Sequence, residues 1–185
     1  SYLSPEGVMI QAHPLLAGLE DAGLVNILDF YVLEFVCQNM QQWQRRGKKV
    51  LPVSINFSKY TFLRQDIEKE LTVLVKKYGI APDLIEIEMR GTADVEENKD
   101  IIDTVRKLRD AEFGVSTGAY GFSSANTYIF AASDINILKI DSSLTTCLLE
   151  NIRVEKILKF VVGACRELSV CAVAEGVENT EQAEV

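Results

Sequence analysis

The sequence predicts an α/β fold: a TIM-like (β/α)8 barrel that this chain leaves incomplete at both ends. Two observations predict it. Five short apolar runs each lead into a helical pattern: Val53-Ser54-Ile55-Asn56, Leu84-Ile85-Glu86-Ile87-Glu88, Phe113-Gly114-Val115-Ser116-Thr117, Ile137-Leu138-Lys139-Ile140-Asp141 and Cys171-Ala172-Val173-Ala174-Glu175. Each run also ends in a polar residue, and a parallel barrel gathers its strand ends at one face, where sites are built. The third run continues into Gly118-Ala119, which carry no side-chain chemistry.

The elements follow in order. Residues 1–11, with Ser4-Pro5 and Gly7, are expected as loop, and a short helix should cover Pro14 to Asp21. Asn26 is expected to cap a long helix in which Ile27, Phe30, Tyr31, Leu33, Val36, Cys37, Met40 and Trp43 recur at helical spacing. Gly47 should end it. The first strand then runs from Val50 to Phe57, and one helix from Arg64 to Tyr78 is stopped by Gly79 and Pro82. Strand Leu84 to Met89, helix Val95 to Ala111 and the third strand follow. A shorter helix near Ser123 to Ala131 precedes the fourth strand, helix Glu150 to Leu168 precedes the fifth, and Asn179 or Thr180 caps a last helix. Nothing divides the chain, so residues 1–185 form one domain. A closed barrel of this kind needs eight strands, so the first and the last two are expected in a longer parent protein.

Strands covered by helices are buried on both faces, which predicts apolar outward residues. They are Ile55 and Phe57, Ile85, Ile87 and Met89, Leu138 and Ile140, Ala172 and Ala174. Period-two alternation turns Ser54, Asn56, Ser58, Glu86, Glu88, Lys139, Asp141 and Glu175 to the interior and its mouth. Unpaired charges there are expensive, so these groups should pair or hold a cation. Glu86, one step deeper than Glu88, has no assigned partner.

Composition narrows the function. The formal charge of −8 opposes non-specific binding to nucleic acid or an anionic membrane. The basic run Arg45-Arg46-Gly47-Lys48-Lys49 falls at a helix end, where favourable interaction with the helix dipole accounts for it; a phosphate patch is the alternative. Cys37, Cys147, Cys165 and Cys171 lack C-x-x-C spacing and sit in apolar settings, as buried free thiols of a reducing compartment would. His13 is the only histidine and precedes every strand, which argues against a Ser-His-Asp triad and excludes a multi-histidine zinc site. No signal peptide or long apolar run is present, so a cytoplasmic segment is expected, with a membrane-anchored parent still open.

Asn56, Glu88, Lys139 and Glu175, at successive strand ends, resemble the EAL-domain family of cyclic-di-GMP phosphodiesterases. The segments carrying the resemblance are Ser54-Ile55-Asn56-Phe57-Ser58, Glu86-Ile87-Glu88, Gly121 through Ser124, Leu138-Lys139-Ile140-Asp141, and Ala174-Glu175-Gly176-Val177-Glu178-Asn179 with Gln182. The resemblance implies a barrel variant whose first strand is antiparallel. It places Asn56 and Glu88 at metal-ligand positions, Lys139 near the attacking water and Glu175 close to the hydrolytic centre. The implied cofactors are two Mg²⁺ or Mn²⁺ ions held by oxygen ligands.

Departures qualify it. The family's metal-binding Asp-Asp pair falls on Gly118-Ala119, or on Ser116-Thr117 in a shifted alignment, so no carboxylate is available. The glutamate-alanine-leucine signature and its arginine are absent, and Arg90-Gly91 replaces a Thr-Glu pair. Low metal affinity follows, and no phosphodiesterase activity is expected. Asn56 could instead satisfy backbone groups at its turn, while Glu88, Glu175 and Lys139 could form a closed ion-pair cluster in the metal site. Asp141 and Glu178 are expected as loop-stabilising acceptors. The leading expectation is a vestigial bacterial signalling domain that acts as a regulatory or interaction module, with no bound cofactor. A non-hydrolysing cyclic-di-GMP receptor, and an active enzyme with substitute ligands, are the alternatives. The resemblance further implies a homodimer through Ser123 to Ala131 and a diguanylate-cyclase-like or sensor domain in cis.

Overall fold

The computed structural model describes the backbone of residues 2–3, 9–10, 12–90, 95–120 and 134–184, and side-chain surroundings for 15–90, 99–116 and 134–184. Two-residue strands β1 (Tyr2–Leu3) and β2 (Met9–Ile10) pair antiparallel, where the sequence predicted only loop. Helix α1 covers Ala12–Asp21, and α2 covers Val25–Arg45. The five expected strands then appear as β3 (Val53–Ser58), β4 (Ile85–Arg90), β5 (Gly114–Tyr120), β6 (Ile137–Ile140) and β7 (Cys171–Ala174). They form one parallel sheet in chain order, as part of a TIM-like barrel should.

The connecting helices are α3 (Lys59–Phe62), α4 (Ile67–Lys77), α5 (Val95–Asp110), α6 (Ser142–Thr146), α7 (Ile152–Glu167) and α8 (Thr180–Ala183). The helix expected over Arg64 to Tyr78 is present as α4 but starts only at Ile67, because Asp66 just ahead of it adopts a left-handed backbone (φ 58°), and the single turn α3 before it was not expected. Asn26 is not a cap: α2 begins one residue earlier, after Leu24. Residues Val50 to Pro52 stay outside β3, and Pro82–Leu84 form a 3₁₀ turn ahead of β4. Arg45 and Arg46 do end α2, where their charge complements its carbonyls. The helix expected near Ser123 to Ala131 lies outside the described residues.

The main core lies between the outer face of β3, β4 and β5 and helices α2, α4 and α5. Phe57, Ile85, Ile87 and Val115 are wholly buried there against Leu33 and Met40, Leu71 and Val75, and Leu108. Each such side chain contributes roughly 1.5–3 kcal/mol relative to exposure. Smaller clusters anchor β6 and β7 to α6 and α7. Of the predicted outward residues Ala174 is corrected to exposed, since β7 ends the described sheet. Two thiols are also corrected. Cys37 and Cys165 are buried, but Cys147 and Cys171 are exposed, and all four are free. Among the described residues no helix is long and apolar enough to cross a membrane.

Candidate functional site

Strand register assembles the polar groups. Asn56 pairs with Glu88 and Glu88 with Ser116, while one step earlier Ser54 pairs with Glu86 and Glu86 with Gly114. Alternate residues share a face, so these side chains line one side of three neighbouring strands. Gly114 makes room: a Cβ there would lie 3.3 Å from the Cα and Cβ of Glu86.

Lys139 of β6 fills the centre of this face. Its ammonium donates to Glu88 Oε2 and, at 2.9 Å, to Ser54 Oγ. It stands 3.4 Å from Glu86 Oε1 and 3.9 Å from Glu175 Oε1. The Ser54 hydroxyl lies within 3.0 Å of Glu86 Oε1 and 3.3 Å of Glu88 Oε2, and Ser116 Oγ donates to Glu86 Oε1 at 2.7 Å. The expected ion-pair cluster is therefore present, with a different membership. Glu86, without a partner in the sequence pattern, is an inner member, whereas Glu175 is peripheral with its side chain 44% exposed. Burial alone would push the Lys139 ammonium down, but the hydrogen bond and charge of Glu88, then Glu86, hold its pKa above the ordinary lysine value.

The remaining predicted residues divide. The Asn56 side chain is exposed and makes no hydrogen bond to a described residue, which corrects the alternative that it satisfies its turn. Asp141 Oδ1 accepts from the Ser143 N–H at 2.8 Å and caps α6, as expected of a loop acceptor, and the Ser143 side chain, then its N–H, lowers the Asp141 pKa. Glu178 contributes a backbone donor instead, to Gln182 Oε1, while Asn179 Oδ1 accepts from Gln182 N–H. Gly176, directly after Glu175, has φ 70° and lies so close to α6 that a Cβ would sit 2.6 Å from Ser142 Cβ. Glycine is required there. Gly118 and Ala119 lie in β5 within a register shift against β6, between Thr117 and Tyr120.

A second polar cluster went unseen in the sequence. Asp29 of α2, 2% exposed, accepts at Oδ2 from the Ser58 N–H (2.9 Å) and from Thr61 Oγ1 (2.6 Å). Burial raises its pKa, which those bonds and the Arg90 charge partly offset. Arg90 Nη2 lies 3.9 Å from Asp29 Oδ1 and is buried without a hydrogen bond. The amphipathic spacing of α2 hid this: Asp29 falls between Leu28 and Phe30 as a surface residue would.

The EAL domain family matches residues 2–185. The chain belongs to that family. As an EAL domain it is similar to the oxygen sensor protein DosP of Escherichia coli, 22% identical over 166 residues that cover 90% of this chain and 21% of DosP. It is likewise similar to the cyclic di-GMP phosphodiesterase NbdA of Pseudomonas aeruginosa, 24% identical over 166 residues, 89% of this chain and 21% of that protein. The EAL domain thus spans about a fifth of the length of these curated relatives. Solved structures show the same fold. The EAL enzyme Bd1971 with cAMP and cyclic-di-GMP bound superposes with a TM-score of 0.85 at 20% identity, over 99% of this chain and 50% of that one. The PaMucR phosphodiesterase in complex with c-di-GMP gives 0.84 at 22% identity, over 99% and 74%.

Proposed function

We propose that this EAL domain is catalytically inactive and serves as a regulatory, protein-interaction module in cyclic-di-GMP signalling. One observation carries the reading. The Lys139 ammonium occupies the centre of the acidic site and bonds directly to the Glu88 carboxylate, which the family resemblance assigns to a metal. Strand β5, between Glu88 and Lys139, contributes no carboxylate anywhere in Gly114–Tyr120. Gly118 and Ala119 are, in this reading, the lost ligand positions of the Asp-Asp pair.

The donor set fits a pair of hard cations poorly. Asn56 and Glu88 are the vestigial metal ligands, Lys139 and Glu175 the vestigial catalytic groups. Divalent ions need several anionic oxygens to offset dehydration. Of the expected ligands only the Asn56 amide and the lysine-bound Glu88 carboxylate remain on β3 and β4, and the second β4 carboxylate, Glu86, is already engaged by Ser54, Ser116 and the Lys139 charge. Around the Lys139 ammonium, Ser54 and Ser116 complete the hydrogen bonding of Glu86 and Glu88. Homodimerisation through residues 123–131, and a sensor or cyclase-like domain in cis, complete the proposal on the strength of the family resemblance.

Hydrolysis and binding of cyclic-di-GMP by the full-length protein in Mn²⁺ test this. The expected outcome is no turnover above background, and no heat of binding in the micromolar range by calorimetry. Tight binding without turnover would favour the receptor instead, and turnover abolished by Glu88→Gln would establish an active phosphodiesterase. The double substitution Gly118→Asp/Ala119→Asp should restore measurable activity where the rest of the site survives.

A further inference from the structure

The basic run Arg45-Arg46-Gly47-Lys48-Lys49 is only half explained by the helix it follows. Arg45 and Arg46 lie at the end of α2, whereas Lys48 and Lys49 stand beyond it. The last carbonyls of α2 need no lysine. Gly47, with a left-handed backbone (φ 66°), closes the helix: its N–H reaches Gln44 O at 2.9 Å, and the Lys48 N–H reaches Trp43 O at 3.0 Å. The second bond folds the chain at Lys48 back toward Trp43, and the lysine side chains cap nothing.

Trp43, Lys48, Lys49, Leu51, Pro52 and Val53 line a cavity of about 400 Å³. It lies at the entry to β3, the end away from Asn56 and Ser58. Small-molecule sites run from roughly 300 to 1,000 Å³, so the space suits one compact ligand. Trp43 is 40% exposed and Leu51 62%, and among the described residues no ring or cation stacks on the indole. Neither lysine side chain has a hydrogen bond or ion pair to a described residue, and no carboxylate lines the cavity. The groove between α2 and α4 differs: Arg64, Lys69 and Lys77 line it, and each is paired with a carboxylate. Two unpaired ammonium groups beside an open indole set the foot of β3 apart.

We propose that this cavity binds a nucleoside monophosphate, its base against the Trp43 indole and its phosphate on the Lys48 and Lys49 ammonium groups. An indole with Leu51 and Pro52 beside it offers a flat apolar surface, and a base stacked on an aromatic side chain gains about 1–3 kcal/mol. Two lysines act as point charges that match a phosphate dianion. The formal charge of −8 disfavours a longer polyanion, whose further phosphates would run out over acidic surface, so a single nucleotide is the fitting ligand. The inference is independent of the state of the barrel mouth.

The test titrates the full-length protein with AMP, adenosine and inorganic phosphate, followed by calorimetry and by tryptophan fluorescence. AMP should bind at least about ten-fold more tightly than adenosine or phosphate alone, and should quench emission that is missing from Trp43→Phe. The double substitution Lys48→Gln/Lys49→Gln, at exposed positions, should weaken AMP roughly ten-fold. Trp43→Leu should weaken it by a similar factor. Photolabelling with 8-azido-AMP should attach within residues 43–53. Phosphate binding as tightly as AMP, unchanged affinity in both variants, or no binding at millimolar AMP overturns the proposal. So does tighter binding of oligoadenylate per nucleotide, which makes a strand the ligand. Label on peptides holding Glu88 or Glu175 would also overturn it, and would place the nucleotide at the barrel mouth instead. Hydrolysis of cyclic-di-GMP by the same sample would sink the inactive reading and leave the AMP result standing.

Discussion

Asp29 and Lys139 are the buried charged residues among those described, 2% and 8% exposed, and they are held in opposite ways. Asp29 receives a backbone N–H and a hydroxyl from the β3–α3 junction, so its charge is spent on the fold itself. Lys139 is ringed by carboxylates from β4 and by Glu175 after β7, side chains that could serve another ligand. A charge satisfied by backbone marks architecture. A charge satisfied by clustered acids marks a site, whether working or retired.

Lys139→Met should have the larger effect. Removing one partner of a buried ion pair costs about 3–5 kcal/mol, and here it leaves Glu86 and Glu88 facing each other on one strand. Urea unfolding of the full-length protein at neutral pH measures it, and the loss should shrink as falling pH protonates the acids. An unchanged midpoint would show that the cluster contributes nothing and would erase the contrast. Asp29→Ala follows, at about 2 kcal/mol for two buried donors left unmade. Asp29→Asn should be milder, because a single oxygen accepts both bonds and an amide oxygen can replace it.

The pH dependences sharpen the comparison further. A raised pKa in the folded state means a contribution present at low pH and lost as pH rises through the folded value. For Asp29 that window starts near the ordinary 3.8 and extends upward to its raised pKa, and Asp29→Asn should flatten that slope. For Lys139 the contribution persists through neutrality and disappears only above the ordinary 10.5. Ser116→Ala gives the smallest expected effect, about 1 kcal/mol for one hydrogen bond to Glu86.

The parallel sheet was legible because alternation along Ile85 to Met89 and Leu138 to Ile140 survives any local detail. The cluster was legible in part. Glu88 and Lys139 follow from strand ends, but the partners of Glu86 depend on register between β3, β4 and β5, which one strand's pattern cannot specify. The late start of α4 turned on a single left-handed residue, Asp66, inside an otherwise helical pattern. Two-residue strands such as β1 and β2 have no period to detect. Cys147 and Cys171 have apolar sequence neighbours, yet their own side chains face outward, so neighbourhood alone misassigned them. Asp29 was hidden because its partners, Ser58 and Thr61, lie some thirty residues away.

The most direct test is a manganese titration of the full-length protein followed by electron paramagnetic resonance, with Glu88→Gln as the reference. The lysine-plugged site predicts identical free-ion signals for the two proteins into the millimolar range. Two further equivalents of Mn²⁺ bound by the unaltered protein, and lost on Glu88→Gln, would contradict it.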